Sequence, residues 1–269
     1  MPTHTPPFAA ETRRALDHLA LTKQRDGRVP GLAAGVARQG TLEWSTGIGA
    51  ADLDAPDVAP DEDTQYAVAS NSKTFTAVVV MALRDEERLD LDDTVDEHLP
   101  GTTHERVTLR QLLSHTSGMQ REPVGDVWDV MQMPDRDELV RGWSQAERVG
   151  RPHTTWHYSN LAYGILGEII TRLDGRSWFE SVEARILQPL EMRRTTLGHS
   201  GRRAKGYYVP PFSDVPLPEP DFPAEALDAA GDRWTQFVTN TKSNVRGVMG
   251  SLVMMADSVI AEFRSGGQA

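Results

Sequence analysis

The hydrophobic and polar positions of this chain follow two periods, and the change between them divides the sequence. Residues 11–21 have the apolar spacing of a short amphipathic helix. Residues 31–37 and 41–48 then alternate as two strands around a Gln39-Gly40 turn, which predicts a hairpin at one side of a sheet. From about residue 56 to 206 the pattern is mostly helical with long loops, so we expect a helical part to follow the strands.

One helical segment is apolar on nearly every face. Residues 74–83 contain one polar pair and otherwise only apolar side chains, which is typical of a helix buried in the middle of a domain. The motif Ser70-Asn71-Ser72-Lys73 stands at its start. We therefore expect Ser70 at the floor of a cleft, partly dehydrated, with free backbone N–H groups at the helix start available for an oxyanion.

Ser70 and Lys73 are the first candidate catalytic residues. Positions i and i+3 of a helix share a face, so the Lys73 amine is expected to reach the Ser70 oxygen. A lysine whose ammonium form is disfavoured by burial or neighbouring cations can accept the serine proton near neutral pH. A serine that caps a helix, followed by an ordinary surface lysine, gives the same spacing, so the pair alone does not decide.

Tyr158 and Asn160 form a second constellation, on a loop that runs into another apolar helix. A tyrosine hydroxyl beside a lysine can carry a proton to and from a serine. An asparagine amide has both a donor and an acceptor, which suits it to fix a substrate carbonyl or amide. A core tyrosine followed by an N-cap asparagine explains the same residues, since Asn160 stands where the helix begins.

Together these segments resemble the serine β-lactamases and penicillin-binding proteins, within them the branch similar to class C β-lactamases, DD-peptidases and related esterases. The tyrosine of the second motif points to that branch. Five stretches match in the family's order, namely residues 66–77, 89–100, 107–119, 158–160 and 186–192.

The resemblance implies an α/β (α+β) fold of the β-lactamase/transpeptidase type, with a helical lobe and an antiparallel sheet in a single domain over residues 1–269. Residues 1–55 would hold the N-terminal helix and strands, 56–208 the mainly helical lobe with the active site, and 209–269 a proline-rich loop and the C-terminal segment.

The resemblance also implies roles for the four candidate residues. Ser70 would be the acylated nucleophile, and Lys73 its proton acceptor or the group that tunes the tyrosine. Tyr158 would be the general base or acid, and Asn160 would orient the substrate. The expected activity is hydrolysis of an ester or amide, with a β-lactam among the candidates. β-Lactamase, D-peptidase, esterase and acyl transferase all use this constellation.

The family's third motif, Lys-Thr-Gly or His-x-Gly on a strand, has no convincing copy. His199-Ser200-Gly201 comes too early in the family's order, and Lys242-Ser243-Asn244 has no strand pattern around it. Residues 249–263 resemble the helix that normally precedes this motif, so we expect the last sheet strands to be missing. The second hypothesis is therefore a catalytically inactive, truncated relative that binds a ligand or a partner.

Composition limits the alternatives. A net charge of −11 over 269 residues argues against a nucleic-acid partner, and the chain has no cysteine for disulfides or thiolate chemistry. No apolar run approaches the ~20 residues of a membrane span. The start has no signal-peptide pattern, so we expect a cytoplasmic protein, although removal of a signal would leave the same sequence. The oligomeric state stays open.

The sequence supports four further local predictions. Thr108 and Gln111 form a capping-box pair, and His115 is expected to have a structural role behind the site. Six prolines in residues 209–223 argue against regular structure there. His153 and His157 have i,i+4 spacing, but Pro152 argues against a helix, so we expect neither a metal site nor a cofactor.

Overall fold

A computed structural model of the protein describes residues 7–125, 135–198 and 201–219, together with the backbone of 237–239. The described residues form two compact units. The first contains 7–68, 190–219 and the strand at 237–239, and the second contains 69–189. The assignment of one family domain to both units stays a prediction. No helix of the described ranges has the length and apolarity needed to cross a membrane.

The first unit begins with helix α1, Ala10–Asp26, followed by strands β1, Gly31–Arg38, and β2, Thr41–Gly49. The strands pair antiparallel over their whole length. Gln39 and Gly40 connect them with φ of 51° and 75°. Two positive φ values in a two-residue loop match the right-handed twist of the strands. The predicted helix and hairpin are therefore both confirmed.

Helix α1 packs on the hairpin. Trp44 of β2 is buried, and its indole N–H donates to Asp17 Oδ1 of α1 over 3.0 Å. Ala20, on the same helix, is also buried. A tryptophan buried with its N–H paired loses no hydrogen bond on leaving water, so this contact fixes the helix on the sheet.

The remaining strands of this unit are short. Strands β3, Tyr66–Ala67, and β4, Thr196–Leu197, both pair antiparallel with β7, Phe237–Thr239, in the order β3-β7-β4. Strands β5, Tyr207–Tyr208, and β6, Leu217–Pro218, form a separate antiparallel pair. The antiparallel sheet that the resemblance implied is thus present in the described part of the chain.

The expectation of irregular structure over 209–223 is wrong at one point, because Leu217–Pro218 pairs with Tyr207–Tyr208. Proline lacks only the N–H of the ladder and is tolerated in an edge strand. The adjoining Glu219 N–H donates to the Gly206 carbonyl over 2.9 Å, which supplies the bond that proline cannot. Residues 220–223 lie outside the described ranges.

The described part of the second unit is mostly helical with long loops, as the sequence predicts for about residues 56 to 206, although that stretch also contains the strands at Tyr66–Ala67 and Thr196–Leu197. Short 3₁₀ turns stand at Ala69–Asn71 and Trp143–Gln145, and a π turn at Glu183–Leu187. Its helices in the described ranges are α2 (Ser72–Asp85), α3 (Val95–His98), α4 (Leu109–Leu113), α5 (Arg136–Gly142), α6 (Asn160–Asp174) and α7 (Trp178–Val182).

Helices α2 and α6 form the core of this unit. No residue of α2 from 72 to 84 is exposed, and every residue of α6 from 160 to 170 is buried. The indole N–H of Trp178, at the start of α7, donates to Thr76 Oγ1 of α2 over 3.0 Å. Helix α6 ends at Gly175, whose φ of 70° suits glycine. The prediction of a buried helix after the Ser70 motif is therefore confirmed.

The predicted capping box begins α4. Thr108 Oγ1 accepts the Gln111 N–H over 3.3 Å, and Gln111 Oε1 accepts the Thr108 N–H over 3.2 Å. Two backbone donors that the helix leaves unpaired are thereby satisfied. This fixes the start of the helix that leads directly into His115.

A buried carboxylate ties the end of α6 to the segment after α2. Asp174 is 2% exposed and accepts hydrogen bonds from Arg185 Nη2 at 2.7 Å and Arg88 Nη1 at 2.9 Å. The hydrogen bonds from Arg185, followed by that from Arg88, hold the pKa of Asp174 well below its usual range. These ion pairs therefore link the end of α6 with the segment after α2, which is far from it in sequence.

Asp174→Asn should lower the free energy of unfolding by about 2 kcal/mol at neutral pH, because it leaves two guanidinium groups without their buried anion. The folded pKa lies below the unfolded value of about 3.9, so the contribution is present above that pH and is lost as pH falls below it. Urea denaturation at pH 7 and pH 3 measures both effects. Asp92→Asn, which removes an exposed partner of Arg110, is the control and should cost under about 0.5 kcal/mol. Equal losses in the two variants would contradict the assignment.

Candidate active site

Ser70 lies in a strained turn directly before α2. It is the middle residue of the 3₁₀ turn Ala69–Asn71, and Ala69 has a φ of 43°. A positive φ at a residue with a Cβ is unfavourable and persists only where the surroundings impose it. Buried Ser72 supplies such a restraint, since its hydroxyl donates to the Ala69 carbonyl over 2.8 Å.

Ser70 itself is exposed, so the expectation of a partly dehydrated serine is wrong for this structure. The reason is local. The regular helix begins at Ser72 rather than at Ser70, and burial begins with Ser72 and Lys73. Ser70 therefore lies two residues before the buried part of the helix, in a position that a substrate can reach.

Three of the four predicted site residues come together. Tyr158 Oη donates a hydrogen bond to Ser70 Oγ over 2.8 Å. Lys73 is 7% exposed, and its Nζ lies 5.2 Å from the centroid of the Tyr158 ring and 5.6 Å from that of Tyr163. Among the described residues the hydrogen-bond partner of Ser70 is therefore Tyr158. The described residues show no hydrogen bond from Lys73 to Ser70, which the sequence predicted, and the lysine amine lies against the two tyrosine rings.

His115 packs behind the tyrosines. Its ring centroid lies 4.6 Å from that of Tyr158 and 5.0 Å from that of Tyr163. His115 Nδ1 accepts the Ser159 N–H over 3.2 Å, so the proton of the neutral ring stands on Nε2. Burial, followed by the positive charge of Lys73, lowers the pKa of His115 to about 4. This neutral ring orients the Tyr158 side chain, in keeping with its predicted structural role.

The loop after His115 is bonded to the segment that carries Tyr158. The Gly118 carbonyl accepts the N–H groups of Val149 at 2.9 Å and Gly150 at 3.2 Å. Gly118 has a φ of 71°, and a Cβ there would lie 2.2 Å from the Gly150 carbonyl oxygen, so only glycine fits. Further along, the Asn160 N–H donates to the Arg121 carbonyl over 2.8 Å. The two segments therefore hold each other in register.

Asn160 does not cap its helix. Ser159 is the N-cap, and its hydroxyl accepts the Ala162 N–H over 3.0 Å, while Asn160 is the first helical residue. Asn160 Nδ2 instead donates to Glu122, at 3.0 Å from Oε2 and 3.1 Å from Oε1. The amide donor expected to face a substrate is thus occupied by a carboxylate, and Oδ1 is the polar atom left for a ligand.

Three side chains of this cluster were not predicted from the sequence. The Arg121 guanidinium carbon lies 5.1 Å from the centroid of the Tyr158 ring, and Arg121 Nε donates to Glu122 Oε1 over 3.1 Å. Trp156 is 67% exposed, and its ring lies 6.3 Å from that of Tyr158. A polar run of three residues, 120–122, directly after the matched stretch 107–119 was the signal available in the sequence.

The weaker candidates have different outcomes. His199, Ser200 and residues 242–244 and 249–263 lie outside the described ranges. Residues 151–159 form turns and loop rather than a helix, as Pro152 predicts. The part of the chain that the structure describes contains no group of three or more His, Cys, Asp or Glu side chains able to hold a metal ion.

Comparison with known proteins identifies the family of the chain. A family model described as Beta-lactamase matches residues 14–261, and the chain belongs to that family of serine hydrolases. The esterase EstB of Burkholderia gladioli is similar, with 31% identity over 228 residues, which cover 78% of this chain and 57% of EstB. Protein flp of Staphylococcus aureus strain MW2 is 27% identical over 201 residues, which cover 72% of this chain and 40% of flp.

A crystal structure of a class C β-lactamase superposes with a TM-score of 0.74 at 22% identity, over 88% of this chain and 64% of that one. At this identity the likeness shows the fold, and it confirms the predicted helical lobe with an antiparallel sheet. The chain spans about half the length of the curated relatives that it matches.

His115→Asn should flatten the dependence of stability on pH between about 6.5 and 4. The folded pKa of about 4 lies below the ordinary 6.5, so His115 stabilises the fold above pH 6.5, and this contribution is lost as pH falls towards 4. Asparagine tolerates the φ of 57° and keeps an acceptor for Ser159. Urea midpoints between pH 7.5 and 4.5 measure the slope.

His153→Asn is the matched control, since His153 also has a positive φ, of 64°, but is exposed. Its slope should follow that of the wild type. A His115→Asn slope equal to the wild-type slope would exclude a buried neutral His115.

Proposed function

We propose that this protein is a serine hydrolase that cleaves esters or amides through an acyl-enzyme on Ser70. The observation that carries the proposal is the 2.8 Å contact between the Tyr158 and Ser70 hydroxyls, with the buried Lys73 amine against the same tyrosine ring. A nucleophile in contact with a proton acceptor, itself beside a cation, is the arrangement that hydroxyl activation needs.

In the proposed acylation, Tyr158 first releases its own proton to solvent, and the phenolate beside Lys73 then accepts the Ser70 proton as Ser70 Oγ attacks the substrate carbonyl carbon. Once Tyr158 is deprotonated, the Ser70 hydroxyl donates along the same 2.8 Å contact, so the bond reverses without movement of either side chain. The backbone N–H groups at the start of α2 stabilise the oxyanion of the tetrahedral intermediate. The carbonyl then re-forms, the bond to the leaving group breaks, and Tyr158 returns the proton to the departing oxygen or nitrogen.

Deacylation uses the same groups in the opposite direction. Tyr158 accepts a proton from a water molecule, the water oxygen attacks the acyl carbon, and the proton passes to the Ser70 oxygen as the ester bond breaks. Lys73, buried against the tyrosine rings, stabilises the phenolate that accepts the proton at the start of each half-reaction and is regenerated at its end. Of the two roles that the sequence left open for Lys73, the contacts favour electrostatic support of Tyr158.

Similarity to EstB supports an ester as the substrate, and we place small-molecule esters before amides and β-lactams. The exposed Trp156 beside Tyr158 offers an apolar surface to such a substrate. A cytoplasmic location and the lack of a nucleic-acid partner remain our predictions.

Incubation with a fluorophosphonate should add one phosphonyl group, on the peptide that contains Ser70, and intact mass with peptide mapping measures this. Ser70→Ala should lose both the adduct and the hydrolysis of 4-nitrophenyl butyrate, since no nucleophile remains. Ser144→Ala, which removes an exposed hydroxyl elsewhere in the unit, is the control and should keep both. No adduct on a folded wild-type chain would favour the inactive, ligand-binding relative.

Tyr158→Phe should lower the rate of acylation by about a hundredfold or more, because it removes the proton acceptor and leaves the ring packing intact. Lys73→Met keeps the length of the side chain and removes its charge, so acylation should also slow, but less. Stopped-flow release of 4-nitrophenolate measures both rates. A larger loss in Lys73→Met would make the lysine the direct acceptor, and acylation at the wild-type rate in Tyr158→Phe would exclude the tyrosine.

A further inference from the structure

Arg121 lies beside the reacting hydroxyls without a role in the chemistry proposed above. Its guanidinium is stacked on the Tyr158 ring, at 5.1 Å from the ring centroid, and Tyr158 Oη touches Ser70 Oγ. The Arg121 side chain is nevertheless 62% exposed. A positive charge is thus held next to the nucleophile on a surface that a bound substrate must approach.

The position of Arg121 is fixed by a chain of contacts that begins at α6. Asn160, the first residue of that helix, donates its side-chain amide to both carboxylate oxygens of Glu122. Glu122 Oε1 then accepts the Arg121 Nε–H over 3.1 Å. The Arg121 carbonyl also accepts the Asn160 N–H, so main chain and side chain are both restrained. A guanidinium held in this way loses little further freedom when it binds a ligand.

The outer edge of this guanidinium stays available. Glu122 occupies Nε, and Arg121 Nη1 and Nη2 donate to no residue in the described ranges. These two nitrogens have the fork geometry that binds a carboxylate through parallel hydrogen bonds. The neighbouring cation, Lys73, is buried among the tyrosine rings and cannot serve a ligand in this way.

We propose that Arg121 is a specificity-determining residue that binds a carboxylate of the substrate, held in place by Glu122 and Asn160. The inference rests on the proposed function, because it concerns substrates of the same Ser70 site. It gives Asn160 an indirect role in substrate recognition, through Glu122, in place of direct contact with a substrate amide.

The test compares ester pairs that differ only in a carboxylate. On the acyl side the pair is 4-nitrophenyl hydrogen adipate and its methyl ester. On the leaving-group side it is 4-carboxyphenyl hexanoate and its methyl ester. The ratio of kcat/KM within each pair is measured for the wild type, Arg121→Gln, Arg121→Lys and the control Arg106→Gln, which removes an exposed arginine of the same unit. Spontaneous hydrolysis is subtracted.

For at least one pair, the kcat/KM ratio of the carboxylate ester to its methyl ester should fall about tenfold in Arg121→Gln. The ratio should fall less in Arg121→Lys, which keeps the charge, and should not change in Arg106→Gln. It should also shrink in the wild type as salt is added. An arginine that only packs on Tyr158 would slow both esters of a pair equally, and unchanged ratios in both pairs would overturn the proposal. Failure to hydrolyse any ester, with no adduct at Ser70, would instead reject the proposed function.

Discussion

The bonding of the loop after His115 to the start of α6 is the constraint on which the site depends. Ser159 donates its N–H to the ring of His115 and its hydroxyl to the Gln120 carbonyl, and Asn160 donates its N–H to the Arg121 carbonyl. Tyr158 precedes these residues, so its hydroxyl is placed by three hydrogen bonds that involve no catalytic atom. A loop alone would leave such a side chain mobile; anchoring it to the end of a buried helix does not.

The second constraint is a buried lysine for which the described residues provide no ion-pair partner. Lys73 lies against two aromatic faces, and the same neighbourhood keeps His115 neutral. The two cationic side chains of the site, Lys73 and Arg121, therefore differ in their exposure to solvent. One is enclosed next to the tyrosines, and the other, Arg121, is held at the surface by Glu122. In the mechanism that we propose, the enclosed charge supports the chemistry and the exposed charge binds the substrate.

The elements defined by local rules could be predicted from the sequence. The Gln39-Gly40 hairpin, the Thr108 capping box and the buried helix after Ser70 depend on neighbouring residues, and all three are present. The contact partner of Lys73 could not be predicted, because the turn before Ser72 is a 3₁₀ turn, which changes the direction of side chains relative to an α-helix. Arg121 and Glu122 lie in a loop that has no hydrophobic periodicity. Their place in the site depends on contacts with residues almost forty positions away, which the sequence does not reveal.

The turn at Ala69 has a consequence for any attempt to move this site to another scaffold. Its unfavourable φ is maintained by the Ser72 hydroxyl, and Ser72 is fixed because α2 is packed on all sides. The geometry of the proposed nucleophile is therefore a property of a buried helix as a whole. A peptide that copied residues 69–73 alone would lose this conformation, because nothing would offset its strain, so the smallest portable form of the proposed nucleophile is the strained turn together with the core around α2.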